Sequence, residues 1–397
     1  MDKPAIEGGK PIRKEFLPFA RPVIDDIEIN NVLTVMKSGW LTTGPQTMKF
    51  EKKFREFIGS RYAVAVNSCT AALHLSLIGC GVKEGDEVIT TTNTFCSSAN
   101  VIVWQKAKPI LVDIEEGTYN IDASKIEEKI TERTKAIMPV HYGGQPCDMD
   151  PIIELAEKYG LKVIEDSAHS IGSEYKGRKI GTIGDTTCFS FYATKNLTTG
   201  EGGMLVTDHK KIAETAMLLR LHGIDKDAWK RYNAQGSWYY EVKSAGYKYN
   251  MTDVQAAIGL GQLEKIKKFN ERRQEIAKIY DRAFEKIPEI IPPLKKKDRV
   301  HVYHLYPIRI DTEALKINRA KFIEALKAEN IGTSVHFIPL HLHPFYQKTF
   351  SYKADDFPVA QKVYQGIVSI PMFPAMTDRD AEDVIIAIER LIEFYKK

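Results

Sequence analysis

The sequence predicts an α/β protein, with a large domain on a mostly parallel β-sheet and a smaller C-terminal α/β domain. Three observations lead there. Between residues 63 and 166, short apolar runs alternate with segments of helical period, the pattern of a parallel sheet covered on both faces. After Lys210 the alternation stops, and a long helical pattern over 253–287 runs into a weak, proline-containing linker at 288–299. The chain's 397 residues exceed what one small core organises and suit two domains, placed at 1–265 and 266–397 with the long helix at their junction.

The elements follow in order. Asp25 or Asp26 caps a first helix through about Met36, closed by Ser38-Gly39. A second covers 49–58 and places Phe50, Phe54, Phe57 and Ile58 on one face. Strand 63–66 leads into helix 70–78, strand 87–91 into helix 98–105, and strand 110–113 follows. Strand 135–140, helix 150–159 and strand 162–164 continue the series. Residues 187–191 and 204–207 are two strands with no room for a helix between them, so one antiparallel exception is expected. A helix from 210 to about 221 precedes a polar, aromatic loop at 223–246. Beyond the linker, 302–310, 319–329 and 333–337 read as strand, helix and strand of the smaller domain.

Composition narrows the function classes. The 56 basic and 52 acidic residues leave a net charge of +4, too mild to point to nucleic acid. The densest basic stretch, Lys265 to Arg273, is interleaved with apolar residues and reads as a solvated helix face. No run of 18 apolar residues occurs, so no membrane association is expected. The start of the chain lacks a hydrophobic signal core. The five cysteines are odd in number and show no metal-ligand spacing, which suits free thiols in a reducing cytoplasm and no metal site.

Four segments carry candidate chemistry. In Val66-Asn67-Ser68-Cys69-Thr70 a strand turns into a helix, whose first amides can bind an anion; a plain N-cap by Ser68 or Thr70 is the alternative. Val163-Ile164-Glu165-Asp166 is a strand that ends in an acid, with His169 three residues on; a helix cap again competes. In Cys188-Phe189-Ser190-Phe191 the alternation puts Ser190 and Cys188 on one side, and Lys195 emerges from the glycine-rich loop that follows. Gly246 to Asp253 opens the long helix, with Asn250 before an Asp cap. A lysine after a buried strand, with an acid delivered by an earlier strand, is what a pyridoxal phosphate site requires. The lysine holds the aldehyde as a Schiff base, and the acid keeps the ring nitrogen protonated.

Taken together, these segments resemble the DegT/StrS family of sugar aminotransferases, pyridoxal phosphate enzymes of fold type I (aspartate aminotransferase-like). Ser38-Gly-Trp-Leu-Thr-Thr-Gly-Pro45, Asn93-Thr-Phe95, Val140-His-Tyr-Gly-Gly-Gln-Pro146, His336-Phe-Ile-Pro-Leu-His341 and Ser369-Ile-Pro-Met-Phe-Pro374 extend the likeness over nearly the whole chain. The resemblance implies that Lys195 is the Schiff-base lysine, Asp166 the partner of the ring nitrogen and His169 a neighbour of the cofactor's hydroxyl side. Phe95 takes the position of the stacking aromatic, while Ser68, Cys69, Thr70 and Ser190 stand at the phosphate. Cys69 departs from the glycine common in the family at that turn. Asn250 matches a residue that reaches the phosphate of the neighbouring subunit, which implies a homodimer with shared active sites. Relatives with histidine in place of the lysine are dehydratases, so Lys195 implies transamination. The implied reaction moves an amino group from L-glutamate to a keto-sugar nucleotide, with Lys195 as general base and acid. The likeness is greatest to UDP-4-amino-4-deoxy-L-arabinose aminotransferases. A UDP-4-keto-6-deoxy-hexose of the pseudaminic type and an inosose are the competing substrates, and a non-catalytic regulator is a remoter alternative. The aromatics Trp229, Tyr232, Trp238, Tyr239 and Tyr240 are candidate sugar or base contacts, and a packed dimer interface explains them equally well.

Overall fold

The structure, a computed structural model, describes residues 3–225 and 238–397. In chain order its first strands are β1 (Tyr62–Val66), β2 (Glu87–Thr91), β3 (Lys108–Val112), β4 (Thr134–Met138), β5 (Lys162–Asp166), β6 (Glu174–Tyr175), β7 (Arg178–Lys179), β8 (Thr186–Ser190) and β9 (Gly203–Thr207). Seven of them form one sheet in the order β1-β9-β8-β5-β4-β2-β3. β9 runs antiparallel to both of its neighbours, and the other pairings in this sheet are parallel, so the expected single exception is β9.

Helices α1 (Asp26–Ser38), α2 (Pro45–Ile58), α3 (Cys69–Gly79), α4 (Ser97–Trp104), α5 (Met149–Tyr159), α6 (Lys210–Leu219) and α7 (Asp253–Phe284) cover the sheet or its edges. The two-residue period of the strands decides which helix meets which side. Val64 and Val66 pack with α3 and α6, whereas Ala63 and Ala65 pack with α2 and α7. Cys188 likewise joins the α3 side, and Phe189 and Phe191 join the α2 side. There Phe54 sits edge-on to Phe189 and Phe191, with ring centroids 5.2 and 5.5 Å away. Truncating a buried ring of this kind to alanine typically costs about 3–5 kcal/mol.

The remaining strands are β10 (Ile290–Ile291), β11 (Arg299–Val300), β12 (Tyr306–Ile310) and β13 (Ile367–Ile370). β10, β12 and β13 make a second, antiparallel sheet, and β11 pairs with the β6–β7 hairpin. Helices α8 (Arg319–Ala328), α9 (Pro344–Phe350), α10 (Pro358–Gly366) and α11 (Asp378–Tyr395) complete the chain. α7 belongs to both cores: Ala256, Leu260 and Ile266 pack against the large sheet, and Ile276, Tyr280 and Phe284 pack with β12, β13, α8 and α11. The N-terminal segment also joins the second core. Leu17 is buried there, and Glu329 accepts hydrogen bonds from the amides of Ala5 and Ile12, both at 2.8 Å.

Three expected elements differ most from those observed, each for a physical reason. The strand expected over 302–310 begins at Tyr306, because Val302 and Leu305 donate to the carbonyls of Gly144 and Gly143 instead of a sheet partner. In place of a strand at 333–337, Ser334 makes a single bridge to Ser369, and the His336 carbonyl accepts from the Tyr142 hydroxyl at 2.5 Å. α2 starts at Pro45, four residues before the expected helix, since Asp253 accepts from the amides of Gly44, Gln46 and Thr47 at 2.8, 3.1 and 2.9 Å. Asp253 thus caps α2 across the chain. The cap of α7 is Thr252, in a reciprocal box with Gln255.

Candidate active site

Several strand ends meet at one edge of the large sheet. β1 ends at Val66 and β8 at Ser190, both paired with Gly203 at the start of β9, and β5 ends at Asp166 beside Cys188. The C-terminal edge of parallel strands is where open α/β sheets receive ligands. A cavity of about 460 Å³ opens there. Ser68, Cys69, Thr70, Phe95, Asp166, His169, Ser190 and Lys195 all line it. Asn250 does not. It borders a separate hollow with Arg220 and Asp225, and its Nδ2 donates to Thr43 Oγ1 at 2.8 Å.

At the floor, Ser68 is the N-cap of α3 and its Oγ accepts from the Ala71 amide at 3.1 Å. The capping alternative is therefore real, yet it uses the Ser68 side chain alone. Cys69 and Thr70 occupy the first turn, where amides lack a helical acceptor, so an anion is favoured beside them. Gly203 brings the sheet against this turn: a Cβ there would lie 2.4 Å from the Ser68 carbonyl carbon and 2.5 Å from the Cys69 nitrogen. Ser190 closes the same corner from β8, with its Oγ accepting from the Tyr192 amide at 3.3 Å.

Asp166 is buried at the end of β5. No helix follows it, so the capping alternative fails at this position. Its Oδ2 accepts from Ser98 Oγ at 2.7 Å and its Oδ1 from the Ala168 amide at 3.1 Å. Burial raises its pKa above the usual carboxylate value, and the Ser98 and Ala168 hydrogen bonds oppose that rise. Lys195 faces it across the cavity. Burial pushes the Lys195 ammonium down to about 8, against the pull of the Asp166 carboxylate. A lysine in that range is a usable nucleophile and base near neutral pH. Burial, then the charge of Asp166, pushes the Cys69 thiol well above its ordinary range, so it stays protonated and does not compete with the amine.

His169 is buried, and the Gly143 amide donates to its Nδ1 at 3.2 Å. That assigns the proton of the neutral ring to Nε2. Its ring lies 4.4 Å from that of His304 and stacks on Phe337 at 5.9 Å. Phe95 is 60% exposed and stands at the mouth opposite Phe337, free to cover a planar guest. His304, His336, Phe337 and Ser98 escaped the sequence reading as site residues. The signal for the first three was histidine density, in His301-Val-Tyr-His304 and His336-Phe-Ile-Pro-Leu-His341, and Ser98 gave none.

From the 223–246 loop, no described residue lines this cavity. Trp238 is 85% exposed, Tyr239 and Tyr240 are exposed too, and Trp229 and Tyr232 lie outside the described residues. Among the described residues no cluster of potential metal ligands occurs, and no helix is long and apolar enough to cross a membrane. Together the amine, the buried carboxylate, the helix start held close to β9 and the open aromatic fit pyridoxal phosphate.

Comparison with known proteins points to the same cofactor. The profile of the DegT/DnrJ/EryC1/StrS aminotransferase family matches residues 22–389. The spore coat polysaccharide biosynthesis protein SpsC of Bacillus subtilis is 52% identical over 382 residues, covering 96% of this chain and 98% of its own. Among solved structures, a putative sugar aminotransferase, Spr1654 from Streptococcus pneumoniae, in its PLP-form superposes with a TM-score of 0.89 at 33% identity, covering 96% and 99% of the two chains. The same protein is also known in a PMP-form. Helicobacter pylori PseC, an aminotransferase involved in the biosynthesis of pseudoaminic acid, superposes with a TM-score of 0.89 at 31% identity, covering 96% and 100%.

Proposed function

Because the chain belongs to the DegT/DnrJ/EryC1/StrS aminotransferase family and is a pyridoxal phosphate-dependent sugar aminotransferase, we propose that it transfers the amino group of L-glutamate to a UDP-linked 4-keto sugar nucleotide, giving a 4-amino-4-deoxy sugar nucleotide. The observation that carries this reading is Lys195, an amine of lowered basicity in the same cavity as the buried Asp166. Within that class the likeness to UDP-4-amino-4-deoxy-L-arabinose aminotransferases favours a pentose, and the likeness to PseC favours a 6-deoxy-hexose as the second reading.

In this reading the first-turn amides of Cys69 and Thr70 and the hydroxyls of Ser68 and Ser190 hold the cofactor's phosphate. Phe95 would cover one face of the ring, His169 would donate from Nε2 toward its hydroxyl side, and Asp166 would hold a proton on its nitrogen. Lys195 Nζ would tie the aldehyde to the chain. When bound, pyridoxal phosphate supplies the electron sink and the carbonyl on which the amino group is carried between substrates. When not engaged with the aldehyde, Lys195 Nζ would be placed to lift the α-proton of the donor and to return a proton on the other side of the transfer. Asp166, hydrogen-bonded by Ser98 and Ala168, keeps its negative charge where positive charge on the ring must be retained. Asn250 serves the site of a second subunit in a homodimer, which its place outside this chain's own cavity supports. The four buried free thiols, Cys69, Cys80, Cys147 and Cys188, support a cytoplasmic location. The change of core along α7 supports a division near residue 265, with the N-terminal segment packed on the C-terminal unit.

A panel of UDP- and dTDP-linked 4-keto sugars with L-glutamate, followed by the mass of the amine product, tests the substrate. The UDP-linked 4-keto sugar is expected to be aminated fastest. An inosose aminated faster than every nucleotide sugar would overturn the assignment. Full half-reaction rates with glutamate in Lys195→Ala would overturn the role given to Lys195.

A further inference from the structure

His304 is the side chain that meets the Lys195 amine, with its Nε2 3.5 Å from Nζ. What this ring can do there depends on which nitrogen carries its proton, and two backbone carbonyls decide that. The Ile171 carbonyl can only accept, so the Asn270 atom 2.9 Å from it is the amide nitrogen, and Asn270 turns its oxygen the other way. That oxygen lies 2.8 Å from the Asn196 side chain, whose facing atom also contacts the Val302 carbonyl at 3.1 Å. Facing two acceptors, this atom of Asn196 must be its nitrogen. The oxygen of Asn196 therefore meets His304 Nδ1 at 3.1 Å and requires a proton there. Nε2 is left with a lone pair, directed at Lys195.

We propose that His304 is a positioning residue for Lys195: held as the Nδ1–H tautomer by Asn196 and Asn270, it accepts a hydrogen bond from Nζ through Nε2. The inference rests on the reading of Lys195 as the cofactor's lysine. A free Lys195 side chain is long and flexible, and a fixed acceptor would keep it within the cavity. An acceptor with no proton of its own to give also leaves the amine's lone pair unshared, so Nζ remains able to take the α-proton. The packing forbids the alternative of an acid at this position. His304 is buried, its ring lies against His169, and Arg273 Nη1 donates to its backbone carbonyl at 3.3 Å; burial first, and then the Lys195 and Arg273 cations, disfavours an imidazolium.

Histidine side-chain ¹⁵N spectra of the ¹⁵N-histidine-labelled holoenzyme test the tautomer, with His304 assigned by its loss in His304→Gln. The expected result is a neutral ring protonated at Nδ1 throughout the pH range of activity. A ring protonated at Nε2, or at both nitrogens, overturns the proposal whatever Lys195 does. Kinetics test the consequence. His304→Phe is expected to slow the glutamate half-reaction roughly 10- to 100-fold, the usual scale for a misplaced reacting group, at unchanged cofactor content. His304→Gln, whose amide oxygen can accept from Nζ, should restore at least part of that rate. Equal loss in both variants, or none in His304→Phe, overturns the positioning role. The Lys195→Ala half-reaction separately decides the reading beneath it.

Discussion

At the scale of single residues, the site depends on charge held in a buried place. Asp166 has one protein hydroxyl and one amide to steady its carboxylate, and burial works against ionisation. Asp166→Asn keeps the shape and removes the charge. The expected outcome is a fall in kcat of roughly 100- to 1,000-fold, the scale seen when one preorganised electrostatic group is lost, with much less change in the KM for glutamate. Steady-state kinetics across both substrates checks it, and a loss confined to KM would place Asp166 in substrate binding instead. This residue was legible in the sequence because an acid directly after a buried strand is a local pattern, as is a lysine after Cys188-Phe-Ser-Phe191. His304 was not. It lies 109 positions from Lys195, and its tautomer is set by backbone carbonyls whose positions no local pattern records. Ser98 was invisible for the same reason: it meets Asp166 from 68 residues away.

At the scale of elements, strand periodicity carried the most information. The alternation along Cys188-Phe189-Ser190-Phe191 foretold which side Cys188 takes, and the short link between β8 and β9 foretold the antiparallel strand; β1 and β9 divide between the same two cores. Helix starts were harder to place, because a cap can come from far away in sequence: Asp253 fixes the beginning of α2 from 206 residues away. One contact between elements bears on cofactor affinity. β9 approaches the first turn of α3 so closely that Gly203 has no room for a Cβ against Ser68 and Cys69 backbone. Gly203→Ala must push that turn away at a strain of about 1–3 kcal/mol, which is expected to weaken cofactor binding by roughly 5- to 150-fold. Gly79→Ala at the other end of α3 presses instead on the Ile212 side chain, 2.8 Å from the added carbon, and should leave cofactor affinity unchanged. Equilibrium titration of the two apoenzymes with pyridoxal phosphate separates them, and equal affinities would show that this turn does not hold the phosphate.

At the scale of the whole molecule, the sequence indicated two units and a helix joining them, yet it hid how the chain's start is used. Ala5 and Ile12 meet Glu329 more than 300 positions away, and nothing local to either segment announces that contact. Assembly raises a related question, because Asn250 lies outside the cavity that takes in the other cofactor-binding candidates. If Asn250 completes the site of a partner subunit, two defective chains should repair each other. In a heterodimer of a Lys195→Ala chain and an Asn250→Ala chain, one site would combine the Asn250→Ala chain's lysine with the Lys195→Ala chain's intact asparagine. That site is whole, and the other carries both defects. Either homodimer has two crippled sites, so the purified, differently tagged heterodimer is expected to show about half the wild-type activity per dimer, on the linkage that each shared site works independently. If Asn250 instead serves its own chain, every site in the heterodimer lacks one residue, and its activity can be no more than the mean of the two homodimers. Measuring the three species side by side decides between shared and self-contained sites, and a monomer at working concentration would rule out the shared arrangement outright.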